Sequence, residues 1–363
     1  MKSVILMVVI SRMDFCVKKV EKMFYIRTDA NKEIATGHVM RCLSIASELK
    51  KRGIDTTFIT ADHQADELIH SRGYQTICLD SAWNDLEKGI SDITELLIKN
   101  SVDKLLVDSY YATDKYLDAL SKVTKVIYMD DLGEITYPVE RIINYNIYGS
   151  KIDYCRLTGC EKDNLLVGPQ YAPLREEFQL VKTVYRKQIK RVLVSTGGAD
   201  KYNIAGKLLE RILQNRALSG IEFCVVSGKL NTHYNELLML AEQSADIHIY
   251  SNVSKMTELM CQCDIAVSGC GSTMYEICRC GLPIITFSFA DNQIPGAKAF
   301  DEAEVAINCG DARDGIDELV KSIEDNVIRL LKDDELRKAM HERAVCLVDG
   351  QGVKRLVDEI LVV

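Results

Sequence analysis

Residues 23–52 read MFYIRTDANKEIATGHVMRCLSIASELKKR, and the order of features inside them decides the fold. Phe24–Arg27 is a short β-rich run, a loop holding Gly37 follows, and from His38 to Arg52 apolar residues recur at helical spacing. Working outward, the same strand-to-helix rhythm returns. Strand candidates at Thr56–Thr60, Lys104–Asp108 and Lys125–Asp130 are interleaved with helical patterns at Asp85–Asn100 and Thr113–Ser121. Such alternation predicts βαβ units and a parallel sheet. Beyond Asn144 the rhythm breaks into an irregular stretch with Gly149, Gly159, Pro169, Pro173 and the charged group Arg175-Glu176-Glu177. Strands resume at Arg191–Ser195, Glu222–Ser227, Ile247–Tyr250, Asp264–Ser268 and Pro283–Phe287. The expected architecture is α/β, with two doubly wound domains over 23–165 and 189–345 and a linker over 166–188. The apolar stripe in 346–363 suits a C-terminal helix packed back on the first domain, or generic core packing.

Composition excludes several classes. Lys and Arg number 45 against 53 Asp and Glu, a net charge of −8, so no bulk positive field invites nucleic acid. A hydrophobic share of 47% with 27% charged residues is that of a globular enzyme and not of a disordered chain. The longest apolar run, Val4 to Ile10, falls far short of the about 20 residues a membrane-spanning helix needs. It follows Lys2 as a signal peptide's core would, but no small-x-small cleavage site comes after it. Met13 and Met23 offer later starts, so residues 1–22 are expected to be an extension outside the folded core. Thirteen cysteines in contexts such as Ile77-Cys78-Leu79 and Phe223-Cys224-Val225 fit reduced thiols and a cytoplasmic setting. Cys261, Cys263, Cys270, Cys278 and Cys280 crowd together, but Cys-x-Cys is not the usual spacing of a structural zinc site. Neither metal nor cofactor is expected, and the anticipated partner is a small molecule, with no membrane and no obligate protein partner.

In doubly wound sheets ligands bind beyond the carboxyl ends of the strands, so the loops there carry the chemistry. In the first, Gly37 lets the backbone turn sharply and His38 opens the helix. The positive end of the helix dipole favours a neutral imidazole able to accept a proton. Asp29 on the same loop is expected to orient that imidazole; alternatively His38 only caps the helix and Asp29 only closes a turn. Two glycine-rich loops, Ser195 to Asp200 with Gly197 and Gly198, and Ser268 to Thr273 with Gly271 and Ser272, each lead from a strand into a helix. Both present amides and a helix N-terminus to an anion, yet neither is a Walker loop or a G-x-G-x-x-G. A diphosphate suits two such loops facing one cleft. Glu276 either completes a capping box with Thr273 or accepts hydrogen bonds from a ribose. Tyr110, after the strand ending at Asp108, projects over the crevice or packs beneath it. Asn292 and Gln293 are placed to read sugar hydroxyl or amide groups, or to cap the next helix.

Together these pieces resemble the nucleotide-sugar hydrolases of pseudaminic acid biosynthesis, which cleave UDP-2,4-diacetamido-2,4,6-trideoxy-β-L-altropyranose. The matching segments are Arg27-Thr28-Asp29, Gly37 to Leu43, Asp108-Ser109-Tyr110, Met129-Asp130-Asp131, Pro173 to Phe178, Gly197 to Asp200, Ser268 to Glu276 and Ala290 to Gln293. They run in order from Met23 to about Phe300. The resemblance implies a glycosyltransferase-B-like fold, Rossmann-like domains facing a cleft, with UDP held mainly by the second domain and the sugar facing the first. It implies that His38 is the catalytic base, and it places Arg27, Gly37 and Arg41 beside the substrate. Where that family often has Gly-x-Gly-His, this chain has Ala35-Thr36-Gly37-His38, a change that matters only if position 35 needs a positive φ.

The expected chemistry is attack of a His38-activated water on the anomeric carbon, with inversion and departure of UDP. Charge growing on the leaving diphosphate would be met by amides near Gly271, Ser272 and Thr273. A UDP-sugar glycosyltransferase would share these loops and spend the same base on an acceptor hydroxyl. A hydrolysing UDP-sugar 2-epimerase would invert C2, and a nucleotide-sugar-binding module would bind without turnover.

Overall fold

Strands covered on both faces by helices must be apolar almost throughout, and the runs Phe24-Tyr25-Ile26, Leu105-Leu106-Val107 and Ile265-Ala266-Val267 are buried accordingly. The computed structural model describes residues 23–228 and 230–363; the extension expected over 1–22 lies outside the described residues. The first sheet contains β1 (Met23–Thr28), β2 (Asp55–Thr60), β3 (Gln75–Cys78), β4 (Lys104–Asp108), β5 (Lys125–Met129), β6 (Arg141–Asn144) and β7 (Leu165–Val167). All pair in parallel in the order β3-β2-β1-β4-β5-β6-β7. The second contains β8 (Arg191–Ser195), β9 (Glu222–Ser227), β10 (Ile247–Ser251), β11 (Ile265–Gly269), β12 (Ile284–Ser288) and β13 (Ala306–Asp311). It too is parallel, in the order β10-β9-β8-β11-β12-β13.

Both orders reverse direction once, beside β1 and β4 in the first sheet and beside β8 and β11 in the second. The loops after those strands diverge to opposite faces and leave a crevice between them. Within the first sheet Thr28, which ends β1, is in register with Asp108, which ends β4. That pairing brings the loop ahead of His38 next to a carboxylate far away in sequence.

Four strands were not foreseen: β3, β6, β7 and β13. Of these, β3, β7 and β13 are sheet edges, short or half-exposed, and β6 has four residues, so each lacks the long apolar run that marks an interior strand. The first sheet consequently continues to Val167, two residues past the expected domain end at 165. The final helix, Gly352–Val362, packs against the helix Gly37–Lys51 of the first domain, with Leu356, Val357 and Ile360 buried. These three share one apolar cluster with Val39 and Ile45 of the first domain and with Met274 and Ile277 of the second. The core thus runs unbroken across the cleft's floor.

Candidate active site

The helix Gly37–Lys51 begins without a side-chain cap, leaving its first amides open, and buries Val39, Cys42, Ile45, Ala46 and Leu49 in the core. His38 and Arg41, one turn apart, share the face that looks onto the ends of β4 and β5. His38 Nδ1 lies 2.6 Å from Asp108 Oδ1. An ionised carboxylate only accepts, so Nδ1 carries the proton and Nε2 is the nitrogen able to take one. Arg41 grips the same carboxylate from the side, with Nε 2.7 Å from Oδ2 and Nη2 2.5 Å from Oδ1. Its Nη1 and Nη2 also donate to Asp131, at 3.0 and 2.7 Å, and Nη1 donates to the Tyr145 hydroxyl at 3.0 Å. Burial by itself would raise the Asp108 carboxyl, but Arg41 and His38 outweigh it and hold the group well below the usual carboxylate range. Burial pushes the Tyr145 hydroxyl up to about 12, so it remains protonated and fixed.

Asp29 does not orient His38. Its Oδ2 accepts from Arg27 Nη1 at 2.6 Å and its Oδ1 from the Ala61 amide at 2.7 Å. Arg27, expected beside the substrate, lies within β1, is 1% exposed and lines neither of the cavities described below. Loop geometry alone named the wrong carboxylate, because the orienting one arrives from β4. The Ala35 departure also matters: this residue sits at φ +56°, in the left-handed region where a Cβ is strained.

The first domain's site faces a cavity of about 140 Å³ that opens to the surface. Gly37, His38, Arg41, Tyr110, Asp131 and Tyr145 line it from one side, and Gly271, Ser272, Asn292 and Gln293 from the other. No heavy atom comes within 4 Å of where a Cβ would stand on Gly37 or Gly271, so a ligand can approach both backbones. The Tyr110 ring meets His38 edge-on, with centroids 4.4 Å apart, and its hydroxyl accepts from Asn292 Nδ2 at 3.3 Å across the cleft. Gln293 turns inward to accept from the Phe289 amide at 3.0 Å.

A second cavity adjoins the first through Gly37, Arg41, Tyr145, Ser272 and Tyr275 and adds Thr273, Glu276 and Arg175. The capping box expected at Thr273 does not form, since the helix Thr273–Cys280 has no side-chain cap. Glu276 instead accepts a fork from Arg175, Nε at 2.7 Å and Nη2 at 3.0 Å. Burial raises the Glu276 carboxyl even against that cation. Gly197 and Gly198 line neither cavity. Gly197 lies under Phe289, whose Cζ would be 3.5 Å from a Cβ there, and the same ring covers Gly269.

The residues that sequence reasoning left without a role are Asp108, Asp131, Tyr145 and Arg175. Asp108 and Asp131 stand at or just past the ends of β4 and β5, where the strand-end rule directs attention. Tyr145 follows β6, a strand that went unread.

Residues 191–357 match the glycosyltransferase family 28 C-terminal domain. An uncharacterised protein of Methanocaldococcus jannaschii is 31% identical over 71% of this chain, which spans 54% of that protein. The spore coat polysaccharide biosynthesis protein SpsG of Bacillus subtilis is 25% identical over 90% of this chain and 94% of its own length. A Helicobacter pylori protein described as a pseudaminic acid cytidylyltransferase and UDP-2,4-diacetamido-2,4,6-trideoxy-beta-L-altropyranose hydrolase is 25% identical over 73% of this chain, which spans 44% of it. Among solved structures, UDP-GlcNAc 2-epimerase of Neisseria meningitidis superimposes with a TM-score of 0.65 at 14% identity, covering 94% of this chain and 99% of that one. MurG of Acinetobacter baumannii gives 0.64 at 13% identity, covering 94% and 100%. The chain therefore has a glycosyltransferase-B-like fold of two Rossmann-like domains, the second of them similar to the family 28 C-terminal domain.

Proposed function

We propose that this protein hydrolyses a UDP-linked diacetamido-trideoxy sugar, UDP-2,4-diacetamido-2,4,6-trideoxy-β-L-altropyranose, to UDP and the free sugar. The observation that carries the reading is the Asp108–His38 pair on the wall of the interdomain cavity, with Nδ1 engaged and Nε2 free to act as a base. The Helicobacter relative whose description includes that hydrolase supports the choice of substrate.

In this reaction a water in the cavity attacks the anomeric carbon while His38 Nε2 takes its proton. The bond from that carbon to the diphosphate oxygen breaks, UDP departs with the electron pair, and the configuration inverts. Asp108, pinned by Arg41, stabilises the imidazolium as it forms. The Gly271 amide already donates to the Gly269 carbonyl, at 3.0 Å. The amides of Ser272 and Thr273, at the open start of their helix, are left to meet the charge growing on the leaving phosphate. Glu276, forked by Arg175, offers its remaining lone pairs to the ribose hydroxyls.

The match of residues 191–357 to a glycosyltransferase domain favours a second reading, transfer of the sugar to an acceptor hydroxyl. Incubation with the substrate alone separates the two, with UDP release and the anomeric proton followed by NMR and UDP-N-acetylglucosamine as the control. Acceptor-independent release of UDP and a sugar unchanged at C2 is expected. Release only on addition of an acceptor establishes transfer, and inversion at C2 establishes epimerisation.

A further inference from the structure

Away from the cleft, at the outer edge of the first sheet, β2 and β3 run parallel with Thr60 beside Cys78, so the loops that follow them emerge together. Those loops gather His63, Cys78 and Asp80, with one ligand atom of each lying within 4.8 Å of the others. Cys78 Sγ is 3.4 Å from Asp80 Oδ1, and His63 Nε2 is 3.9 Å from that same oxygen. In a tetrahedral zinc site, bonds of about 2.3 Å to sulfur and about 2.0–2.1 Å to nitrogen and oxygen put neighbouring ligand atoms about 3.3–3.5 Å apart. The sulfur–oxygen spacing already matches that geometry, and the nitrogen–oxygen spacing is about half an ångström longer, so the imidazole has to close in by that much.

The other face of the imidazole supplies a second observation. His63 Nδ1 lies 2.6 Å from Asp66 Oδ2, a carboxylate that is itself mostly covered. It holds the proton on Nδ1 and turns Nε2 toward Asp80, the carboxylate–histidine arrangement that orients metal-ligating histidines. A thiolate, an imidazole and a carboxylate together suit zinc rather than magnesium or calcium, which take all-oxygen shells.

We propose that His63, Cys78 and Asp80 form a zinc site, with water as the fourth ligand, that clips the loop after β2 to the loop after β3. On binding, the Cys78 thiol releases its proton to solvent and the thiolate ligates the ion, with no change of oxidation state. None of the three residues lines the two cavities around Arg41, so the site is independent of the hydrolase reading. It does reach toward β1: Cys78 Sγ lies 3.6 Å from the carbonyl of Ala61, whose amide holds Asp29.

The full chain, stripped with a chelator and titrated with Co²⁺ alone, is expected to bind one ion per molecule. Binding should show the near-ultraviolet charge-transfer band of a cobalt–thiolate bond, displaced on adding Zn²⁺. Cys78→Ser should abolish the band, and His63→Ala should weaken binding at least tenfold. Asp66→Asn, which touches no metal, should weaken binding about 10–100-fold yet retain the band at saturation. Far-UV circular dichroism confirms that each variant is folded. A band that survives Cys78→Ser, an affinity unchanged in His63→Ala, or a wild-type chain without the band each overturns the proposal.

Discussion

His38 and Asp108 stand 70 residues apart in the chain, yet their Nδ1 and Oδ1 atoms meet at 2.6 Å. The parallel register of β1 and β4 makes the contact, and Arg41, one helical turn beyond His38, locks it by gripping the same carboxylate. Three groups from two elements thus act as one unit, so each is expected to fail with the others.

Asp108→Asn replaces one carboxylate oxygen by an NH2 donor that faces either the Arg41 Nε–H or the imidazole, removes the charge that steadies the imidazolium, and leaves the His38 tautomer unfixed. Turnover should fall about 10²–10⁴-fold, the usual worth of an acid–base group, while UDP binding changes little. His38→Asn should give a similar loss, and the double variant should add almost nothing further. Steady-state kinetics beside UDP calorimetry decide the matter; additive losses would show that the two residues act separately.

Asp29→Asn should behave in the opposite way. It leaves Arg27 as a buried cation without its carboxylate, a loss of about 3–5 kcal/mol when such a pair is broken. Urea unfolding should report that loss, and the protein that remains folded should turn over at the wild-type rate. A collapse of kcat without loss of stability would return Asp29 to the catalytic role its loop position invites.

The depressed Asp108 carboxyl has an acid signature. A carboxyl whose pKa falls on folding stabilises the fold above its unfolded value, about 3.9, and that contribution drains away as the pH drops from there toward the folded value. The stability penalty of Asp108→Asn should therefore be full at about pH 7 and shrink below about pH 4. Urea midpoints of wild type and variant across that range test the sign, and a penalty indifferent to pH would contradict it.

Ala35 occupies the left-handed region at φ +56°, where an L-residue with a Cβ costs about 1–2 kcal/mol and glycine does not. Glycine's greater freedom in the unfolded chain takes back part of the gain. Ala35→Gly should then stabilise the protein by about 1 kcal/mol, read as a higher melting temperature. No change, or a lower melting temperature, would mean that the loop relaxes around alanine.

Glu276 is read as the ribose acceptor, and a hydrogen bond to a charged group is worth about 1.5–3 kcal/mol. Glu276→Gln should weaken UDP binding about 10–100-fold by calorimetry, with a smaller effect on kcat at saturation. Undiminished affinity would leave Glu276 as no more than a partner for Arg175.

Interior strands such as Val192–Val194 and Ile265–Val267 were legible because burial on both faces demands unbroken apolar runs. The edges β3, β7 and β13 were not, since half-exposed strands relax that demand. At the site the same division holds. His38, Gly37 and the Gly271 loop announce themselves by local chemistry, a histidine and glycines at strand-to-helix turns. Asp108, Asp131 and Arg175 act through partners 67, 90 and 101 positions away, and no local pattern encodes such pairings. Gly197-Gly198 has the same local form, a glycine turn from strand to helix, yet lines neither cavity around Arg41.

The last helix, Gly352–Val362, completes the apolar bed beneath the helix that carries His38. During synthesis the first domain therefore emerges with Val39 and Ile45 lacking part of their cover until Gly352–Val362 leaves the ribosome. About 300 residues separate the two helices, so the helix that carries His38 is completed long after it is made. A nascent chain stalled before Leu356 would hold both sheets and still present an open apolar seam to chaperones.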